Sequence, residues 1–287
     1  MSAKFHLRMI LRVHGRIQFL MFNFHFAIFF SSQTPIKAAA ESSAESDRSN
    51  NSFQTLMSSE QIVLVIGASR GLGLSLLEEL AATPNTQAIG TVRGPTAAVD
   101  HLGSSVKILT LDISDEESIT KAASMIPELD TLIINAGVGK RDPVTTSSTD
   151  VLSTYLNVNV LGPHRAIRAF LPALRARKTR RIVVISSSSA SLGGQALPGS
   201  AGLAGSYGVS KAALNMLAVQ CHKELKDEEF TVVPVHPGWV ATDMGNTHGP
   251  GGMPPATSAK AILKLVDGLT PKESATFYKF DGDTMPW

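Results

Sequence analysis

The chain has 287 residues, 43% of them apolar and 17% charged, with a formal net charge of +2 and a single cysteine, Cys221. That composition excludes a chain disordered throughout, and one cysteine excludes a disulfide framework and favours a reducing compartment. No CxxC or HxxxH pair offers a metal site. Residues 1–56 hold six basic and three acidic residues, leaving 20 basic and 21 acidic for the remainder, so no basic surface argues for nucleic acid.

Residues 1–58 read as a leader and residues 59–287 as one domain. The first forty residues lack Asp and Glu, and Lys4, Arg8, Arg12 and Arg16 recur every four, which on a helix makes one basic stripe. The apolar run that follows, residues 17–30, is too short for a membrane span, so no stable membrane insertion is expected. A Ser-rich, low-complexity stretch covers residues 31–59. Three readings remain open: a transit peptide, a secretory signal, or an extension upstream of a true start at Met57. The expected location is the cytoplasm, or a mitochondrion or other organelle if the leader is a real transit peptide.

From residue 61 short β-branched runs alternate with longer amphipathic stretches. Strands are predicted at 61–66, 86–92, 107–111, 131–134, 181–186, 231–236 and 276–280. Helices are predicted at 71–82, 114–125, 149–175, 207–228 and 258–267, the second opened by Ser114 and Glu117 as a capping box. The alternation predicts an α/β fold: one Rossmann-type, doubly wound domain with a seven-stranded parallel sheet and helices on both faces. The Gly/Pro-rich stretches 193–205 and 245–255 follow strand ends, where such sheets place ligands.

The first strand runs directly into Gly67-Ala-Ser-Arg-Gly-Leu-Gly73, and the first helix follows. Glycines at such a turn let a helix N-terminus receive phosphate on its backbone N–H groups. Leu74 and Ser75 follow where a P-loop needs Lys and Ser/Thr, so nucleotide triphosphate hydrolysis is disfavoured. Arg70 in the loop and Arg93 after the second strand, with no carboxylate there, favour the 2′-phosphate of NADP(H) over NAD.

These motifs resemble the short-chain dehydrogenase/reductase family from about Gln61 to the C-terminus. Asp112-Ile113 ends the third strand, Asn135-Ala136-Gly137 the fourth, Asn159 lies on the long helix, Tyr207 and Lys211 form YxxxK, and Pro237-Gly-Trp-Val-Ala-Thr-Asp243 follows the sixth strand. The segment 239–245 and the ending 280–287 are similar to the branch of sniffer-type carbonyl reductases and C-factor proteins, and the ending also to fungal norsolorinic acid ketoreductase. The resemblance implies a cofactor site of Gly67, Ser69, Arg70, Gly71, Leu72, Gly73, Arg93, Asp112, Ile113, Asn135, Ala136 and Gly137. Tyr207, Lys211, Pro237, Gly238, Val240 and Thr242 complete it.

It further implies catalysis by Asn159, Ser187, Tyr207 and Lys211. Tyr207 would protonate a carbonyl oxygen as hydride arrives, and Lys211, one helical turn on, would lower the Tyr207 pKa. Asn159, distinct from Asn157 on another face, would support a water-mediated relay to Lys211. The serine is the least fixed, since position 194, where the family usually has it, is Gly. The strand-end Ile-Ser-Ser points to Ser187, with Ser186, Ser188, Ser189 and Ser191 as neighbours that could replace it. Ile66 stands where the family has Thr, which implies a lost local hydrogen bond, and Cys221 reads as core packing.

The expected activity is NADPH-dependent reduction of a ketone or aldehyde to an alcohol. Oxidation of a secondary alcohol with NADP and a non-catalytic NADP-binding regulatory protein stand as alternatives. The expected partners are a small carbonyl substrate and, by resemblance, a second copy of the chain in a homodimer or homotetramer.

Overall fold

The computed structural model describes residues 6–13, 16–23, 60–200 and 205–287, and the chain divides after Met57 into two units. In the first unit β1 (His6–Val13) and β2 (Arg16–Asn23) pair antiparallel from His6↔Asn23 to Val13↔Arg16. Of the basic stripe, Arg8, Arg12 and Arg16 therefore lie on strand, not helix, and Lys4 lies outside the described residues. The Ser-rich stretch of the leader lies outside the described residues.

The second unit holds one parallel sheet of seven strands: β3 (Gln61–Ile66), β4 (Thr86–Val92), β5 (Val106–Thr110), β6 (Thr131–Ile134), β7 (Arg181–Ile185), β8 (Thr231–His236) and β9 (Tyr278–Lys279). Their spatial order is β5-β4-β3-β6-β7-β8-β9, so the winding reverses between β3 and β6. A crevice opens at the carboxyl ends of strands where the order reverses.

Alternate residues of each central strand feed opposite faces. Leu64, Ile66, Leu132, Ile134, Ile182, Val184 and Val232 form one core with α2 (Glu116–Ser124), α4 (Gly162–Arg175) and α5 (Ser206–Leu225). Val63, Val65, Ile133, Val183, Val233 and Val235 form the other with α1 (Gly71–Ala81) and α6 (Pro255–Gly268). Burial on both faces is why the strands read as continuous apolar runs.

Most element ends shift by one to three residues from the sequence reading, and three differences have an evident cause. Asp115, not Ser114, caps α2 by accepting from Glu117 N–H at 3.0 Å, because Ser114 is already bound through its N–H and hydroxyl to Asp112 at 2.9 and 2.6 Å. The long helix splits into α3 (Thr149–Leu156), a π-turn at Asn157–Leu161, and α4. Pro163 has no N–H to offer the Asn159 carbonyl, and a Cβ on Gly162 would fall 2.8 Å from the Ile113 carbonyl. The last strand shrinks to Tyr278–Lys279, because the chain then turns back so that Lys279 N–H donates to Asp283 O and Met285 N–H to Phe277 O.

Candidate active site

At the reversal point the glycine loop leaves β3. Arg70, the N-cap of α1, makes no side-chain capping bond and the first turn carries no acid, so the leading N–H groups of that helix are open to an anion. The loop is folded too tightly for a side chain: a Cβ on Gly73 would fall 2.0 Å from Gly67 O and 2.4 Å from Asn135 Nδ2. Asn135 Nδ2 donates to Gly67 O at 2.8 Å, tying the ends of β3 and β6. Gly67 N–H donates to Thr91 Oγ at 3.1 Å, so this amide is satisfied from β4 although Ile66 brings no hydroxyl.

Thr242 leans over the same loop, its Cγ2 lying 2.9 Å from where a Gly71 Cβ would stand. It also caps its own turn by accepting from Gly245 N–H at 3.1 Å. Pro237 O accepts from Ser258 Oγ at 2.7 Å, and Val240 bridges to Met253. These contacts fix the segment after β8 above the crevice.

Arg93 is exposed, and Arg70 donates to Asp243 at 2.7 Å in an exposed ion pair. The sequence reading credited Arg70 with no acidic neighbour, since Asp243 is 173 residues away. An exposed pair of this kind contributes only about 0–1 kcal/mol and yields readily to a phosphate. The Asp112 carboxyl, at the end of β5, is held below its ordinary range by the hydroxyl and backbone N–H of Ser114, with Arg93 adding to the effect. Ser69 is half-buried; Leu72 and Ile113 are buried.

Tyr207 and Lys211 occupy the first two turns of α5 and are both buried. Ser187, in extended backbone beyond β7, accepts from Ser189 N–H at 3.2 Å, and it is the serine whose hydroxyl acts on the Tyr207 phenol, drawing its pKa down. Two of its neighbours are engaged elsewhere: Ser186 Oγ donates to Asn215 Oδ1 at 2.6 Å, and Ser191 Oγ to Pro286 O at 2.6 Å, while Ser189 Oγ is buried without a hydrogen-bond partner. Ser188 N–H donates to His236 Nδ1 at 3.1 Å, which pins the turn that carries Ser187. Burial pulls that imidazole down to about 4, so it stays a neutral acceptor.

The expected lowering of the Tyr207 pKa by Lys211 is not what the geometry gives. Burial pushes the phenol up to about 12, opposed by the Ser187 hydrogen bond and reinforced by Tyr155. Lys211 Nζ donates to the Ile185 carbonyl at 2.8 Å and lies 5.8 Å from the Tyr207 ring centroid, over the ring rather than at the phenol oxygen. Burial in turn lowers the ammonium to about 8.

Asn159, fully buried in the π-turn, accepts from Val138 N–H at 2.9 Å and donates to Val138 O and Ser210 Oγ at 2.8 and 2.9 Å. Asn157 is separate, accepting from Arg165 at 3.0 Å. Gly137 leaves a hollow between two of these groups: a Cβ there would stand 3.2 Å from Asn159 Oδ1 and 3.5 Å from Lys211 Nζ. Cys221 lies against the core, and burial pushes its thiol up to about 11, which makes it a poor nucleophile.

Two residues were not legible beforehand. A Cβ on Gly139 would fall 2.4 Å from Tyr207 Cδ2, so that glycine lies flat against the ring. Tyr155 packs in one small cluster with Tyr207. Gly139 could have been suspected from its place two residues after Asn-Ala-Gly; nothing local marks Tyr155.

Residues 61–251 match the short chain dehydrogenase family. The chain belongs to that family. An uncharacterized oxidoreductase of Schizosaccharomyces pombe is 30% identical over 257 residues, covering 81% of this chain and all of the relative. Among solved structures, the NADPH-bound carbonyl reductase from chicken fatty liver is 29% identical with a TM-score of 0.73, covering 79% of this chain and 94% of its own. The carbonyl reductase Sniffer of D. melanogaster is 27% identical with a TM-score of 0.70, covering 79% and 99%. In this chain Tyr207 and Lys211, one turn apart, lie against the segment that leaves β6, at Gly139 and Gly137. Among the described residues there is no cluster suited to a metal, and no helix long and apolar enough to cross a membrane.

Proposed function

We propose that this short chain dehydrogenase reduces a ketone or aldehyde to an alcohol at the expense of NADPH, with Tyr207 as the proton donor. The chain is an NADP(H)-dependent oxidoreductase: the glycine loop and open α1 N-terminus fit the pyrophosphate, Arg70 and Arg93 suit a 2′-phosphate, and similar structures carry NADP(H). The cofactor, when bound, supplies the hydride.

One observation carries the assignment: Tyr207 and Lys211 are buried together on α5 with the Lys211 ammonium over the ring, and Ser187 acts on the same phenol. Ser187 and Tyr207 can then both donate to one carbonyl oxygen, stabilising the charge that grows there. A phenol pushed up to about 12 is protonated at neutral pH, the state in which it can donate to a carbonyl oxygen. Lys211, held over the ring by its bond to the Ile185 carbonyl, serves the return of the proton after donation. Asn159 Oδ1 retains a second lone pair towards the Gly137 hollow, where a proton relay to Lys211 would run.

Loops leaving β6, β7 and β8 expose Val144, Leu192, Leu197 and Trp239, an apolar rim suited to an aromatic or otherwise bulky carbonyl compound. Exposed Leu161, Val209 and Met216 on the π-turn and α5 support self-association through those helices. The one cysteine, half-buried, supports a reducing compartment, the cytoplasm or an organelle.

The test is NADPH consumption with a panel of carbonyl compounds that includes phenanthrenequinone, for wild type and Tyr207→Phe. The expected result is turnover in the wild type and a loss of about 10³-fold in the variant, with NADPH binding retained. Near-wild-type turnover in Tyr207→Phe would remove that residue from the mechanism.

A further inference from the structure

Between β6 and α3 the chain crosses the face of the Tyr207 ring, and it is fastened at successive points. Asn159 holds both backbone groups of Val138, and Gly139 lies against the ring. Lys140 N–H donates to the Tyr155 phenol oxygen at 3.0 Å, and the same phenol donates its O–H to the Asp142 carboxylate. The Asp142 carbonyl accepts from Ser206 N–H at 3.2 Å, so close to α5 that a Cβ on Gly205 would fall 1.7 Å from that oxygen. The Ser147 and Ser206 hydroxyls meet at 2.9 Å. α3 thus reaches the crossing segment through Tyr155 Oη, and the segment reaches α5 at the residue immediately before Tyr207.

The pairing is costly unless it organises something. Holding loop residues in one conformation costs backbone entropy, and a phenol–carboxylate hydrogen bond is of the stronger, charge-assisted kind. Tyr155 is buried as deeply as Tyr207, in one cluster with Val138, Val151 and Met244. Its proton is committed to Asp142, so it does not compete with Tyr207 as donor even though the two phenols are neighbours.

We infer that Tyr155 and Asp142 are a positioning pair for the proton donor: together they fix residues 138–142 and, through Gly139 and Ser206, set the plane and depth of the Tyr207 ring. The inference rests on Tyr207 being the donor. Neither residue touches the reacting atoms. Tyr155→Phe keeps the ring and removes the hydroxyl; Asp142→Ala removes the acceptor; Asp142→Asn keeps an acceptor oxygen.

With phenanthrenequinone as the carbonyl probe, Tyr155→Phe and Asp142→Ala are expected to lower kcat about 10- to 100-fold, as for a small misplacement of a catalytic group. KM for NADPH should hold, and Asp142→Asn should recover most of the loss. A second readout needs no substrate. The chain has three tyrosines, so fluorotyrosine labelling gives three fluorine resonances, each assignable by its Phe substitution. In Tyr155→Phe and Asp142→Ala the Tyr207 resonance is expected to shift and broaden while that of Tyr278 stays put. An unmoved Tyr207 resonance, or kcat equal to wild type, overturns the inference. So does a loss of melting temperature and NADPH binding in step with kcat, which would make the pair merely structural. Tyr207→Phe, run alongside, separates this outcome from failure of the donor assignment itself.

Discussion

Lys211 Nζ stands over the Tyr207 ring, 5.8 Å from its centroid, and gives its hydrogen bond to the Ile185 carbonyl rather than to the phenol. The two motif residues therefore meet through the ring face, and each bears the cost of its own burial: the phenol is pushed up to about 12, the ammonium down to about 8.

The ammonium should cost stability in a defined pH window. Its folded pKa lies below its ordinary value of 10.5, so between pH 8 and 10.5 the unfolded chain binds the extra proton and stability rises with pH. Lys211→Met is expected to melt higher than wild type at pH 7, by several degrees, with the gap closing as pH approaches 10.5. Paired thermal melts across that range check it; a pH-independent gap would contradict a buried, titrating ammonium. The same variant should lose activity.

Gly139 offers a steric test. A methyl group at 2.4 Å from Tyr207 Cδ2 must displace the ring or the segment. Gly139→Ala is expected to lower kcat about 100-fold, the scale of a displacement near 1 Å, with NADPH affinity within a few-fold of wild type. Steady-state kinetics beside NADPH titration measures both; unchanged kcat would mean that the ring tolerates the shift.

Cofactor preference should follow the two arginines. Charge-assisted hydrogen bonds contribute about 1.5–3 kcal/mol, so Arg93→Ala should weaken NADPH roughly 10- to 100-fold and leave NADH unaffected. Asp243→Asn releases Arg70 from its ion pair and should tighten NADPH. Fluorescence titration with both cofactors reads the difference, and equal losses for NADH would take Arg93 away from the 2′-phosphate.

Much of this protein is written locally. The apolar runs of β3, β6, β7 and β8, the glycine turn from Gly67 to Gly73, and the four-residue step from Tyr207 to Lys211 are each properties of a short stretch of chain. Side-chain periodicity and turn sterics act over a few residues, so fold class, strand positions and the motif residues could be read without coordinates. What the tertiary structure alone decided involves residues brought together from afar. Five serines from 186 to 191 are equivalent by local chemistry, and it is the packing of the turn after β7 against α5 that brings Ser187 to act on the phenol. The π-turn at Asn159 needs the contact between Gly162 and Ile113, Arg70 finds Asp243 across the crevice, and Tyr155 meets Asp142 and shares a cluster with Tyr207. Those relations depend on strand order and helix docking, where a displacement of 1 Å, invisible to any pattern in the chain, chooses the partner.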